Sequence, residues 1–500
     1  MKKTIAILLV AVLAAGSIFA GFSGEASVKA GVDLDKEEWG FLSNGTNVKF
    51  NLSLGNENVE KAAEGDIYAS IKAEFEARVM NDSFSGAKPG FYLDNLVKVK
   101  AKITEAKVNG ANWYVSILGV PGAPDFAKSA IDTTIDKAKG TPDDWGSIRT
   151  EDTYKAVSYK VAYNDGVPGI EAGYADYVAG VGFNSKKDTG TGASAYFQTP
   201  EYAFDAVKVQ GAAVASKKAG EKAYNYGASA KASYATDVLA TSLATDMGLT
   251  FEEGKDAKFA MDLAANFKYD FVTVDAYLNT AEATKAIDPA DVPNPADPDT
   301  WGAVATPVLL SAKVSTDLTS FNVPVKLEVT GKDLLAKTDL GVKATIKAIE
   351  NLDLTVSGGY VVNTLGRDAK MLWVYKDVTD KPFAGQWSAK VGATYTAPIA
   401  TISGEVSVKN WGVAEVAKLL TTAAADGPAY VEAYEITAMN TDGINTLANR
   451  IVLGAKVSVV NETLIPGAKL KLAWEGKDLV NKVKGKVTKG TIAASCTIAF

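Results

Sequence analysis

Residues 67 to 79 alternate without a break: Ile67, Ala69, Ile71, Ala73, Phe75, Ala77 and Val79 fall on one face of an extended chain, and Tyr68, Ser70, Lys72, Glu74, Glu76 and Arg78 on the other. A helix cannot sort such a run into two faces, because its side chains come round only every ~3.6 residues. The same alternation returns at 26–34, 48–54, 97–103, 226–234, 259–267, 272–278, 323–329, 342–346 and 352–356. It continues through 387–395, 402–408, 453–459, 468–474, 483–487 and 492–500. Between these stretches stand Asn109-Gly110, Asp165-Gly166, Gly358-Gly359, Asp442-Gly443 and Pro466-Gly467, which read as hairpin turns. The expected fold is an all-β array of antiparallel hairpins.

Alternation alone fits both a soluble sandwich, with one face on a core, and a barrel, with one face on lipid. Two features favour the barrel. The apolar faces consist largely of Ala and Val, which lipid accepts and an interlocking core would not. Many stretches also approach the roughly 9–11 residues that cross a bilayer at a tilt. At about 25–30 residues per strand and connection, the chain makes an antiparallel transmembrane β-barrel of roughly 16–20 strands, wide enough for an aqueous lumen. Short helical inserts are expected in its loops at 122–139, where Phe126, Ile131 and Ile135 follow near-helical spacing, and at 413–422. The segment 288–300, with four Asp and four Pro residues, reads as an exposed loop lacking the Gly and closing Glu of a calcium loop.

The first residues have the layout of a secretory signal. Lys2 and Lys3 precede an apolar run from Ile5 to Ala15 that is shorter than the roughly 18 residues of a spanning helix, and cleavage is expected after Ala20. The two expected units are therefore a signal peptide, 1–20, and one outer-membrane barrel with its loops, 21–500. Removing the two lysines takes the net charge from −7 to −9, with no basic block, which argues against nucleic acid. His is absent and Cys496 is the only Cys. That removes the most frequent general base and metal ligand together with any disulfide, so no metal or other cofactor and no enzymatic activity is expected. Adjacent acids such as Glu37-Glu38, Asp143-Asp144 and Glu252-Glu253 point to opposite faces of a strand and make no catalytic pair.

At the other end, Ile492, Ala494, Cys496, Ile498 and Phe500 alternate with Ala493, Ser495, Thr497 and Ala499 and finish on an aromatic. This resembles the C-terminal strand that outer-membrane barrels present to their assembly machinery. Cys496 falls on its apolar side, where it packs as a small hydrophobe. Near the start, residues 24–35 (Gly-Glu-Ala-Ser-Val-Lys-Ala-Gly-Val-Asp-Leu-Asp) are followed by Trp39-Gly40-Phe41 and the alternating 47–54. This opening resembles the treponemal major outer sheath proteins, whose pattern has a Gly-(Val/Ile)-Asp-Leu run, a Gly-Phe turn and an alternating strand. The resemblance implies an abundant surface protein in the outer membrane, an oligomeric porin, trimeric by family, with host matrix proteins among its partners.

Three lysine stripes carry the functional expectation. Lys98, Lys100 and Lys102 share one face of a strand, as do Lys469 with Lys471 and Lys484 with Lys486. If the intervening apolar residues face lipid, these lysines line the pore alongside acids such as Glu74, Glu76 and Asp275, and rings of charge select ions of opposite sign. A solvated sheet face is the alternative. Aromatics near strand ends, Trp113, Tyr114, Trp301, Trp373, Tyr375, Trp387, Trp411 and Trp474, form either interfacial girdles or cross-strand packing pairs. Three functions are compatible with these features: a porin passing small hydrophilic solutes, a surface adhesin or sheath protein whose barrel is only an anchor, and a soluble periplasmic β-sandwich that binds a partner.

Overall fold

The computed structural model describes residues 22–35, 37–54, 67–78, 98–118, 126–127, 130–131, 169–186, 190–217, 219–220, 222–280, 286–287, 303–304, 308–332, 334–335, 339–361, 385–411, 446, 448–480, 482–483 and 486–499. Its strands take in the alternating stretches apart from 483–487, and further strands stand between residues 113 and 251 and at 309–317. The first eight are β1 (Phe22–Asp33), β2 (Glu38–Leu54), β3 (Tyr68–Arg78), β4 (Lys98–Asn109), β5 (Trp113–Leu118), β6 (Gly169–Tyr174), β7 (Tyr177–Lys186) and β8 (Gly190–Gln198). Next come β9 (Tyr202–Phe204), β10 (Val207–Lys217), β11 (Tyr224–Ala235), β12 (Leu239–Phe251), β13 (Lys258–Tyr269), β14 (Val272–Asn279), β15 (Ala286–Ile287) and β16 (Ala303–Val304). Then follow β17 (Leu309–Asp317), β18 (Val325–Lys332), β19 (Asp339–Ile349), β20 (Leu352–Val361), β21 (Gln386–Thr396) and β22 (Thr401–Asn410). The last are β23 (Ile451–Asn461), β24 (Ala468–Gly476), β25 (Lys482–Val483), β26 (Lys486–Val487) and β27 (Thr491–Ala499).

Among the described residues, 23 strands form one sheet in which all pairs are antiparallel and each strand lies beside its neighbour in the chain. The ring returns on itself: β1 pairs with β2 on one side and with β27 on the other, from Glu25 opposite Ala499 to Asp33 opposite Thr491. Since β8 and β9 lie end to end along β10, separated by a bulge at 199–201, the sheet has 22 staves. With strands ~4.8 Å apart and tilted by about 40°, such a ring is roughly 40 Å across. The all-β antiparallel expectation holds, but the count exceeds 16–20. The estimate spread the chain evenly, whereas β11 to β14 follow one another through short turns and the spare length collects in a few long connections.

Those connections divide by rim. At one rim the strands are joined by 34–37, 79–97, 119–168, 187–189, 218–223, 252–257, 280–308, 333–338, 362–385, 411–450 and 477–490. At the other, apart from 55–67, they are short, several of them two-residue turns: Ala175-Asp176, Asp205-Ala206, Asp270-Phe271 and Glu350-Asn351. Ala175, Asp176, Asp205, Asp270 and Asn351 hold positive φ there, the backbone shape that tight hairpins need. Both β1 and β27 have their terminal ends at this short-turn rim. The Asp-rich stretch 288–300 lies outside the described residues; β15 and β16, on either side of it, pair with each other.

Side chains sort by face. On β6 burial alternates at every residue: Glu171 is 7% exposed and Ile170 50%. Val181, Phe183, Leu243, Leu249, Phe267, Val314, Val342, Val391, Val406 and Leu472 look outward and are exposed, while Ser194, Ser229, Asp246, Asp262, Asp275, Ser311 and Ser458 look inward and are buried. Outward aromatics gather at two levels. Trp39, Phe183, Tyr224, Phe251, Phe259 and Tyr360 stand near the long-connection rim, and Tyr174, Tyr177, Phe204, Tyr234, Tyr269 and Tyr395 near the short-turn rim. Trp387 and Trp474 belong to the first level by register. Tyr114 does not, since it faces inward, and Trp411 is buried.

Other expectations are corrected. Gly358-Gly359 is no turn; it lies within β20, paired to β19 and β21 on both sides, because a glycine pair satisfies a sheet ladder as well as a turn does. The stretch 483–487 is not a stave but the small β25–β26 hairpin, too short to span and held inside the connection between β24 and β27. Residues 126, 127, 130 and 131 are not helical; the rest of 122–139, and all of 413–422, lie outside the described residues. A short 3-10 turn occurs instead at Leu318–Phe321, capped by Asp317, whose carboxylate accepts from the Thr319 amide. Ala20, Asp165-Gly166, Trp301, Trp373, Tyr375, Asp442-Gly443, Lys484 and Phe500 also fall outside the described residues.

Candidate functional site

The inward face is the site, and it is built in sectors. Across β11 to β14 a row of polar residues runs around the wall in register: Ser229 opposite Asp246, Asp246 opposite Asp262, Asp262 opposite Asn279. Asp246 and Asp262 are both 0% exposed. Their neighbours on the same face are small, Ala244 and Gly248 on β12 and Ala260 and Ala264 on β13, which leaves a recess in the wall. The connection between β5 and β6 fills it. The amide of Ala127 donates to Asp246 Oδ2 at 2.7 Å, and that of Phe126 to Oδ2 at 3.1 Å and Oδ1 at 3.3 Å. Ala127 and Ile131 are 2% and 4% exposed. Asp246 stands five residues in from the long-connection end of β12, so the segment reaches roughly 12 Å below that rim at ~3.3 Å per residue and a ~40° tilt. A chain crossing at that depth narrows the lumen.

A second sector centres on Glu171. Its Oε1 accepts from the Tyr114 hydroxyl at 2.6 Å and its Oε2 from the Tyr196 hydroxyl. The two rings cross the wall over glycines: a Cβ on Gly173 would lie 2.1 Å from the Tyr114 ring, and one on Gly180 2.4 Å from the Tyr196 ring. One carboxylate thus ties β5, β6 and β8 together across β7. The Lys107 ammonium sits 3.7 Å from the centre of the Tyr114 ring.

The remaining inner wall carries charges of both signs in pairs. Lys313 and Asp275 stand 3.7 Å apart, Lys343 and Glu328 3.6 Å, Lys390 and Glu405 3.2 Å, and Lys347 and Asp353 3.3 Å. Glu201, in the bulge, meets Lys208 at 3.0 Å and Lys231 at 3.3 Å. Apart from the buried Asp275 and its partner these groups are exposed, and exposed pairs add little stability. Their effect is on the field inside the lumen.

The predicted pore-lining residues divide. Lys469 and Lys471 lie on the inner face of β24, with Leu472 outward and 55% exposed, and Lys469 pairs with Glu462 at 2.7 Å. The register sets Glu74 opposite Lys102 and Glu76 opposite Lys100, so the acids and the lysine stripe of β3 and β4 are cross-strand partners in sequence position. Lys486 lies in the β25–β26 hairpin, which is not part of the 23-stranded sheet. The C-terminal stretch Ile492, Ala494, Cys496 and Ile498 does form the closing stave, β27, between β24 and β1. Asp246, Asp262 and Glu171 were missed by sequence reasoning. A signal exists: each is a lone carboxylate among small residues on the polar face of an alternating run.

No protein-family model and no curated protein sequence matches the chain. Among solved structures, it is similar to the copper transporter OprC (TM-score 0.41, 10% identity, covering 96% of this chain and 80% of that one). It is similar also to OprD of Pseudomonas aeruginosa (0.33, 8%, 96% and 94%) and to the porin of Rh. blastica (0.29, 10%, 96% and 99%). At scores this low the likeness says nothing of what this chain conducts or binds; its fold rests on its own strand pairings.

Proposed function

We propose that this chain is an outer-membrane porin, a non-enzymatic channel through which small hydrophilic solutes diffuse passively. One observation carries the reading: a sheet paired back onto its first strand turns apolar residues outward and polar residues inward. Such an arrangement suits lipid outside and water inside, with every wall backbone group paired. The height agrees. Phe259 and Tyr269 mark the two aromatic levels on β13, and ten residues at ~3.3 Å and ~40° tilt separate them by about 25 Å, the thickness of an outer-membrane apolar band. By the rule of short periplasmic turns and long external loops, the 119–168 connection enters from outside. The resemblance to treponemal major outer sheath proteins fits this reading and adds a homo-oligomer and barrel assembly through β27.

A second reading, surface adhesion to host matrix proteins, draws on the gathering of nearly all long connections at one rim. Heat-modifiable gel migration and single-channel recording in a planar bilayer test both. Folded protein with ohmic steps supports the porin; folded protein without current leaves the anchored adhesin; water-soluble protein without a heat shift defeats both.

Two expectations follow from the wall. Val391, 56% exposed at the middle of β21, faces the bilayer midplane. Val391→Arg should cost about 2–4 kcal/mol, read as a lower urea midpoint for the vesicle-inserted barrel. Glu405→Gln frees the Lys390 ammonium inside the lumen, and the reversal potential in a salt gradient should move toward anion preference.

A further inference from the structure

A concavity of about 760 Å³ indents the wall at the short-turn rim, over the bulge that interrupts the β8–β9 stave. Its lining combines inner-face positions of β3 to β10 with the turns at 110–112 and 175–176, the bulge residues Pro200 and Glu201, and Trp113 and Tyr174. Tyr68, 39% exposed, offers a ring, and Asn109, Asn112 and Gln198 line the hollow with amides. The carboxylates present are Asp176 and Glu201, and Glu201 is already matched by Lys208 and Lys231. The hollow therefore combines an aromatic face with clustered amides and little unbalanced charge. An ion would find no net countercharge there, and a purely apolar ligand would strand the amides without hydrogen bonds. Stacking of C–H faces on an exposed ring, with paired hydrogen bonds from neighbouring amides, is the chemistry that holds a sugar ring.

From this we infer that the hollow is a saccharide subsite on the periplasmic side of the lumen, holding neutral polyhydroxylated solutes as they leave the constriction. The inference rests on the channel reading, and its test separates the two. Maltohexaose is added to one chamber at a time while single-channel current is recorded, with a polyethylene glycol of equal size as the control. In parallel, saturation-transfer NMR reads maltohexaose binding to the folded protein in detergent, whether or not current flows.

The expected result is concentration-dependent block by maltohexaose from one side, far weaker block by the glycol, and NMR transfer to the sugar. In the N109A/Q198A variant the fractional block at a fixed sugar concentration should fall at least tenfold, while Ser458→Ala, on a distant part of the wall, keeps it. Equal block by sugar and glycol, a block unchanged in the double variant, or absent NMR transfer would overturn the subsite. Absent current with sugar transfer present would overturn the channel reading instead.

Discussion

Asp246→Ala is expected to raise the open-channel conductance and to expose the 119–168 connection to protease added from the long-connection side. The carboxylate takes two backbone amides, and hydrogen bonds to a charged acceptor contribute roughly 1.5–3 kcal/mol each, so their loss weakens the tether by about 3–6 kcal/mol. The barrel itself should not suffer. The strands that flank Asp246 are joined by backbone ladders that its side chain does not make. Folded protein with an unchanged heat shift is therefore expected while conductance grows. Asp246→Asn, which keeps one acceptor oxygen and loses the charge, should give a smaller change of the same sign. An unaltered conductance in both variants would mean that residues 126–127 do not narrow the path.

The largest stability effect is expected from Gly180→Ala. The new methyl would lie 2.4 Å from the Tyr196 ring, whose hydroxyl is held by Glu171 and which is only 6% exposed, so the ring cannot swing aside without breaking that bond. Overpacking costs about 1–3 kcal/mol and a lost hydrogen bond to a carboxylate about 1.5–3, together about 2.5–6 kcal/mol. Gly341→Ala is the matched control. Nothing lies within 4 Å of its Cβ position, and the substitution should be neutral or stabilise by about 0.4–1 kcal/mol through the unfolded chain. Urea titration of both variants in detergent measures the difference. Equal midpoints would show that Tyr196 is not fixed where it crosses β7.

The stretches of period two identified many of the strands and their antiparallel order, because alternation in a sheet depends on local backbone geometry alone; β5 to β10, β12 and β17 lie outside those stretches. Residues 68–78 became β3, and 226–234 became part of β11. Turns were less legible. Asp205-Ala206, Asp270-Phe271 and Glu350-Asn351 reverse the chain without glycine, whereas the glycine pair 358–359 sits inside a stave. Local residue type does not fix where a hairpin bends when both flanking strands can supply the energy by pairing.

The site divides along the same line. From the sequence by itself came the lysines of β24, which the register puts on the inner face, and β27 as a closing strand. Only the tertiary structure decided that β27 pairs with β1, that nearly all long connections share one rim, and that Phe126 and Ala127 rest on Asp246 about 120 residues away. Period two says which residues share a face. Closure, depth and contact between distant segments depend on how many staves complete the ring and on which recess a long connection can fill, and those are properties of the assembled wall.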